Sequence, residues 1–206
     1  MPDVPRTYLD RIDRLLAQRP RVMLGLAGAP GSGKSTLAQA LRQAFDAVSI
    51  VVPMDGFHLA NSELKRLGLA NRKGSPPSFD AAGYVALLAR IRHQGPDETI
   101  YAPEFRREIE EPIAGAIAIE AASRLVITEG NYLLLDRGYW AEVTGLLDET
   151  WYVDLDPAIR LERLVQRHMH FGRTRQAAED WVSSNDELNA QLIEATRARA
   201  GLVFVW

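Results

Sequence analysis

The chain has 206 residues, 47% of them apolar, a net charge of −3 and no cysteine, which suits one domain with a sizeable core and excludes disulfides and thiolate-held metals. The mild negative charge gives no reason to expect nucleic acid or an anionic membrane as partner. No run of about eighteen apolar residues reads as a membrane span, and the first residues lack a basic-then-apolar leader pattern, so the expected location is the cytoplasm, without membrane insertion.

Residues 4–19 set Tyr8, Leu9, Ile12, Leu15 and Leu16 on one helical face, up to Pro20. The apolar residues 21–27 predict a buried strand. GAPGSGKS follows at residues 28–35, then Thr36, and a helical pattern begins near Lys34. A GxxxxGKS run between a strand and a helix is the context of a phosphate-cradling P-loop. Gly28, Gly31 and Gly33 let the backbone turn its N–H groups inward, and Ala29, Pro30, Ser32 and Thr36 complete the ATP phosphate site. The helix that follows sets its positive end under the phosphates. Lys34 is expected at the β- and γ-phosphates, and Ser35 offers a hydroxyl to Mg²⁺.

Residues 48–52 predict a second short strand, ending in PMDGFH at residues 53–58. Ligands of open α/β sheets lie beyond the carboxyl ends of the strands, which places Asp55 beside the P-loop. Residues 60–80 read as a long loop rich in Gly, Pro and Ser, a feature that is usually functional or disordered. Asp80 reads as the N-cap of a helix that reaches about residue 92 and buries Tyr84, Leu87, Leu88 and Ile91. Residues 99–105 and 116–120 predict two short strands around a charged segment, an insertion of hairpin type. Arg106 and Arg107 in that segment either reach a bound acceptor or belong to a solvated charge run balanced by glutamates.

Residues 124–130, RLVITEG, predict another buried strand that ends in an acid. An unpaired buried carboxylate is costly, so Glu129 reads as an Mg²⁺-directed group rather than a core residue. Asn131 and Tyr132 follow it. A helix is expected over 140–147 and a fourth strand over 150–155. Asp156-Pro157 then reads as an N-cap with Pro at the first helical position. That helix carries Arg160, Arg163 and Arg167. The pattern breaks at residues 168–175, HMHFGRTR, where basic residues around a glycine suggest a mobile lid. His168 and His170 fall on different helical faces with no third ligand nearby, so they do not read as a metal pair. A final helix is expected over 177–199, with Asn185, Asp186 and Asn189 spaced so that two share a face. Residues 202–205 predict the last strand.

The order of these motifs resembles the P-loop kinases of the uridine kinase, phosphoribulokinase and bacterial pantothenate kinase superfamily. GAPGSGKST, PMDGFH, RKGSPPSFD, ITEGNYLLL and the segment up to HFGRT carry the resemblance from about residue 21 to the end. It implies a single α/β domain over residues 1–206: a P-loop NTPase three-layer α/β/α fold on a parallel sheet in order 2-3-1-4-5. An acceptor-site hairpin at about 99–121 and a lid at about 168–176 would complete it. It also implies ATP and Mg²⁺, a small-molecule acceptor and Asp55 as the group that takes or orients the acceptor proton. Glu129 would be the acid at the metal. Arg167 and Arg173 would meet the transferring phosphate, with Arg173 in catalysis. His58, Lys73, Phe79, Tyr101, Arg106, Arg107, Asn131 and Tyr132 fall in stretches that would line the acceptor site. Relatives of this kind are often dimers, which raises a homodimer as the assembly.

For the acceptor the resemblance is mixed. Uridine kinases resemble PxYDxxxHxR in the hairpin, where this chain has Phe105, Arg106 and Glu110 in place of Tyr, Asp and His. MDGF is similar to pantothenate kinases, which are considerably longer. MDGFHL, SPPSFD and TEGNYLL look most like bacterial kinases of fructose transport systems, which makes a fructose-like sugar the leading acceptor. Nucleosides, pantothenate and a phosphorylated acceptor clamped by Arg106 and Arg107 are the alternatives. A nucleotide-dependent switch ATPase is the rival of another class; the Asp55 motif and the insertion argue against it.

Overall fold

The computed structural model describes residues 3–206. In chain order, α1 (Arg6–Gln18) leads to β1 (Val22–Ala27), α2 (Lys34–Ala44) and β2 (Ser49–Pro53). Next come α3 (Asn61–Arg66), α4 (Ala81–Arg92), and the strands β3 (Ile100–Arg106) and β4 (Glu111–Ile119). The second half runs through β5 (Leu125–Gly130), α5 (Trp140–Val143), β6 (Glu149–Asp154), α6 (Pro157–His170), α7 (Arg175–Trp181), α8 (Glu187–Glu194) and β7 (Leu202–Val205).

Strands β1 and β5 are buried along their whole length, as parallel strands covered on both faces must be. They form the centre of a five-stranded sheet in order β2-β5-β1-β6-β7, with every pairing parallel. Counted within this sheet alone, that is the order 2-3-1-4-5 implied by the motifs. Side chains alternate across each strand. Val22, Leu24 and Leu26 of β1 pack with Ile12 of α1 and Leu37 and Leu41 of α2. Met23 and Ala27 face the other way, toward Tyr84 and Leu88 of α4 and Trp140 of α5. The polar atoms inside this second layer are paired: the Tyr84 hydroxyl meets Thr128 Oγ1 at 2.5 Å, and Thr128 donates to the Val52 carbonyl at 2.7 Å.

The helix starts follow the capping signals. Asp80 Oδ1 accepts from the Gly83 amide at 2.8 Å, and Asp156 Oδ1 accepts from Ala158 and Ile159 at 2.9 and 3.2 Å. Two of the helical expectations need correction. The segment expected to break at residue 168 stays helical to His170, because Met169 still packs beside Leu164 and Val165; the chain turns at Gly172, at φ +96°. The helix expected over 177–199 is divided into α7, a π-turn at Val182–Asp186, α8 and a 3-10 turn at Arg197–Arg199. Ser183 and Ser184 bond the Asp180 carbonyl, and Asn185 Nδ2 donates to the Lys73 carbonyl, so side chains compete with the regular helical ladder.

The hairpin β3–β4 is antiparallel and stands apart from the main sheet. Its second strand begins at Glu111, earlier than the expected residue 116. The pairing register shifts between Ala102 and Glu104, which bends the ribbon. No helix among the described residues is long and apolar enough to cross a membrane.

Candidate active site

The carboxyl ends of β1, β2 and β5 open into one cleft of about 1080 Å³. From β1 the chain passes directly into the P-loop. Gly31 and Gly33 take φ of +80° and +92°, a left-handed backbone that only glycine adopts without strain. Gly33 caps α2 with no side-chain acceptor on the first amides, so these donors are left for an anion. Lys34 is 7% exposed and donates one Nζ hydrogen to the Ala29 carbonyl at 3.0 Å. An ammonium has three donors, so two remain for phosphate oxygens. Pro30, Ser35 and Thr36 line the cleft; Ala29 and Ser32 lie beneath it, buried. The buried Arg160 of α6 reaches the Pro30 carbonyl at 3.4 Å and Glu187 of α8 at 2.6 Å, which ties the loop to the last helices.

Two carboxyl groups converge in front of this loop, close to Lys34. Glu129, at the end of β5, accepts from the Ser35 hydroxyl at 2.7 Å and is 7% exposed. Burial raises its pKa, Asp55 raises it further, and Lys34 and Ser35 offset only part of the rise. Asp55 sits on a 3-10 turn, Met54–Phe57, directly after β2. Burial alone would raise its pKa, but His58 in its protonated form and the cations Arg107, Lys34 and Arg167 hold it below the ordinary carboxylate value. The two carboxyls are thus pushed in opposite directions, a separation that divides roles between acids in one site. Burial lowers Lys34 to about 8, against the pull of Glu129 and Asp55.

An aromatic and polar wall faces Asp55. The His58 ring lies between Phe79 at 4.0 Å and Phe105 at 4.6 Å, centroid to centroid. His58 Nδ1 meets the Asp55 carbonyl at 2.8 Å; a carbonyl only accepts, so Nδ1 carries the proton and Nε2 is an acceptor. Burial lowers the His58 pKa despite Asp55 and favours this neutral ring. Lys73 Nζ donates to Asn61 Oδ1 at 2.8 Å and to the Glu110 carbonyl at 2.5 Å, over the Phe105 ring. Arg107 Nη2 donates to Asp55 Oδ2 at 3.0 Å. Asn131 also lines the cleft.

The structure separates the expected acceptor residues. His58, Lys73, Phe79, Arg107 and Asn131 come together at the cleft. Tyr101 does not: it lies before the bend of the hairpin and is 59% exposed. Arg106 does not either, since strand alternation turns it outward to pair with Glu104 at 2.7 Å. A two-arginine clamp on an acceptor is therefore absent. Tyr132 is fully buried and supports the loop from below, donating to the Gly74 carbonyl at 2.5 Å. Sequence reading missed Asn61, Glu110, Trp181 and Trp206, all at the cleft. The one signal present for this side was the polar spacing of Asn185, Asp186 and Asn189: Asp186 and Asn189 line the cleft, and Asp186 Oδ2 meets His168 Nε2 at 2.8 Å.

Arg167 and Arg173 face the cleft from the end of α6 and the turn after it. Arg173 rests with its guanidinium 4.1 Å from the Trp181 ring centre. Among the described residues no group of three or more His, Cys, Asp or Glu could hold a metal by itself. Ser35 and Glu129 supply two oxygens beside the phosphate cradle, and that donor set fits Mg²⁺, which keeps waters and phosphate oxygens as its other ligands. The free amides at the start of α2 and the partly unpaired Lys34 fit the phosphates of ATP in the same way.

A family model described as "Phosphoribulokinase / Uridine kinase family" matches residues 23–205. The chain is 33% identical over 205 residues to a "Putative uridine kinase" of Schizosaccharomyces pombe, covering 94% of this chain and 87% of that protein. Among solved structures it is similar to a "putative fructose transport system kinase" from Silicibacter sp. TM1040, with 41% identity, a TM-score of 0.84 and 94% of each chain covered. A "putative P-loop containing kinase with a circular permutation" from Saccharomyces cerevisiae shares the fold at a TM-score of 0.83 and 20% identity, over 98% of this chain and 99% of that one.

Proposed function

The chain belongs to the phosphoribulokinase/uridine kinase family and is an ATP-dependent small-molecule kinase, and from that premise we propose that it phosphorylates a hydroxyl of a fructose-like sugar. The observation that carries this reading is the arrangement in one cleft of the P-loop, Asp55 and a wall of aromatic rings and amides. The cations on the acceptor side are already matched. Lys73 is paired with Glu110 at 3.3 Å and Arg107 with Asp55, which favours a neutral, hydroxyl-rich acceptor over an anionic one. Phe105 offers apolar surface to the C–H side of a sugar, and His58 Nε2 and Asn131 offer hydrogen bonds to its hydroxyls. Similarity to the Silicibacter protein points the same way.

ATP with Mg²⁺ supplies the γ-phosphoryl group. In this reading the P-loop amides and Lys34 would hold the phosphate charge, and Ser35 and Glu129 would hold Mg²⁺, which would neutralise charge on the phosphates. Asp55 accepts a hydrogen bond from the attacking hydroxyl, orients it in line and takes its proton late. Arg167 and Arg173 close the phosphate side, and Arg173 leaves Trp181 to meet the transferring charge. Exclusion of water by this closure suppresses hydrolysis.

The test is ADP release with Mg²⁺-ATP against fructose and other sugars, uridine, cytidine, pantothenate, ribulose 5-phosphate and nucleoside monophosphates, with the product mass checked. A phosphorylated ketose with the highest kcat/KM is the expected result. A higher kcat/KM for a nucleoside or pantothenate would overturn the sugar assignment. Turnover with none, in a chain that binds ATP, would favour a switch ATPase.

A further inference from the structure

The hairpin turn between β3 and β4 carries an ion pair whose effect on Asp55 itself the acceptor reading does not address. Arg107 leans over the cleft, with its guanidinium 5.9 Å from the Phe105 ring centre and 3.0 Å from Asp55 Oδ2. Asp55 Oδ1 receives no hydrogen bond from any described residue. An ionised carboxylate accepts on both oxygens, so one is engaged by protein and the other is open. The turn that presents Arg107 is itself fixed. Glu110 takes φ +54°, a left-handed backbone that an ordinary residue adopts at a cost and that persists only where neighbours impose it. Those neighbours are Asn61 Nδ2 and Lys73 Nζ, both donating to the Glu110 carbonyl, while the Asn61 amide is held by the Glu111 carboxylate at 3.1 Å.

We propose that Arg107 is a positioning residue for Asp55: it fixes the carboxylate through Oδ2 and leaves Oδ1 as the oxygen that receives the acceptor hydroxyl. The proposal rests on the kinase reading above. A lone carboxylate near the start of a short 3-10 turn rotates about its side-chain torsions. The charge-assisted bond from a strained, tethered turn removes that freedom before the acceptor arrives. Arg107 then acts through Asp55 and touches neither reacting atom.

The experiment compares wild type, Arg107→Gln, Arg107→Lys, Asp55→Asn and the Asp55→Asn/Arg107→Gln double variant. Arg107→Gln is expected to lower kcat by roughly tenfold to a hundredfold with the KM for ATP unchanged, and Arg107→Lys to recover part of the loss. In the Asp55→Asn background, Arg107→Gln should cost nothing further, because its target is gone. Additive losses, or a rise in the acceptor KM with kcat intact, would overturn the assignment in favour of a direct acceptor contact. In parallel, the side-chain carboxyl ¹³C resonance of Asp55 is followed in the ligand-free protein. It should move in Arg107→Gln and return partway in Arg107→Lys; an unmoved resonance overturns the contact. This arm decides the role of Arg107 even if wild type proves inert toward every acceptor, an outcome that counts against the kinase reading alone.

Discussion

Folding strips water from the Lys34 ammonium, and that burial brings its pKa down to about 8. The unfolded chain therefore holds the proton more tightly than the folded one. Stability of the ligand-free protein is expected to rise as pH climbs from about 8 toward the ordinary lysine value, and the charged form costs about 3 kcal/mol below that window. Phosphates reverse the balance by favouring the charged form. ADP affinity measured by calorimetry should then fall toward tenfold per pH unit above pH 8, while Lys34→Ala binds weakly at every pH and has no turnover. Asp55→Asn is expected to lower kcat by about 10² to 10⁴, with ADP affinity within about twofold of wild type. Equal turnover would remove Asp55 from the chemistry. Lys34 was legible in the GxxxxGKS spacing, and Asp55 and Glu129 as acids at the ends of apolar strands. Tyr101 and Arg106 were misplaced because alternation and the bend at Ala102–Glu104 decide which side of the hairpin faces Asp55, and no local pattern encodes that bend.

At the scale of elements, the hairpin and the Asp55 turn are built against each other. A Cβ on Gly56 would come within 2.3 Å of the Pro103 carbonyl oxygen, so the two backbones meet with no room between them. Gly56→Ala must push β3 away from the turn that carries Asp55. The expected cost is about 1–3 kcal/mol in urea unfolding, with kcat reduced as well because the aromatic wall moves with the strand. An unchanged urea midpoint would show that the hairpin yields without strain. The P-loop, both Asp caps and the strands of the main sheet followed from their sequence signals. The π-turn at Val182–Asp186 did not. It arises where Asn185 reaches a carbonyl 112 positions away in sequence, and helical periodicity carries no record of such a partner.

At the scale of the molecule, the parallel sheet delivers Ala27, Pro53 and Gly130 to the same edge, and the P-loop, Asp55 and Glu129 meet there. Ligand binding at this edge stabilises every strand that feeds it. Mg²⁺-ADP at a hundred times its Kd should add about 2.7 kcal/mol. For a chain of this size that corresponds to a rise in Tm of about 5 to 10 °C by calorimetry, and Lys34→Ala should show little of it. The amino-acid sequence by itself determined the strand–loop–helix at residues 22–44, the acids at the ends of β2 and β5, and the chain order of strands and helices. These are written in adjacent residues, through apolar runs, capping side chains and glycine spacing. Only the tertiary structure decided that Arg107 rather than Arg106 meets Asp55, that Tyr132 supports the loop from below, and that Asn61, Trp181 and Trp206 join the cleft. Those outcomes depend on the bend of the hairpin and on side-chain bonds between distant segments, and such contacts exist only once the sheet has brought its edge together.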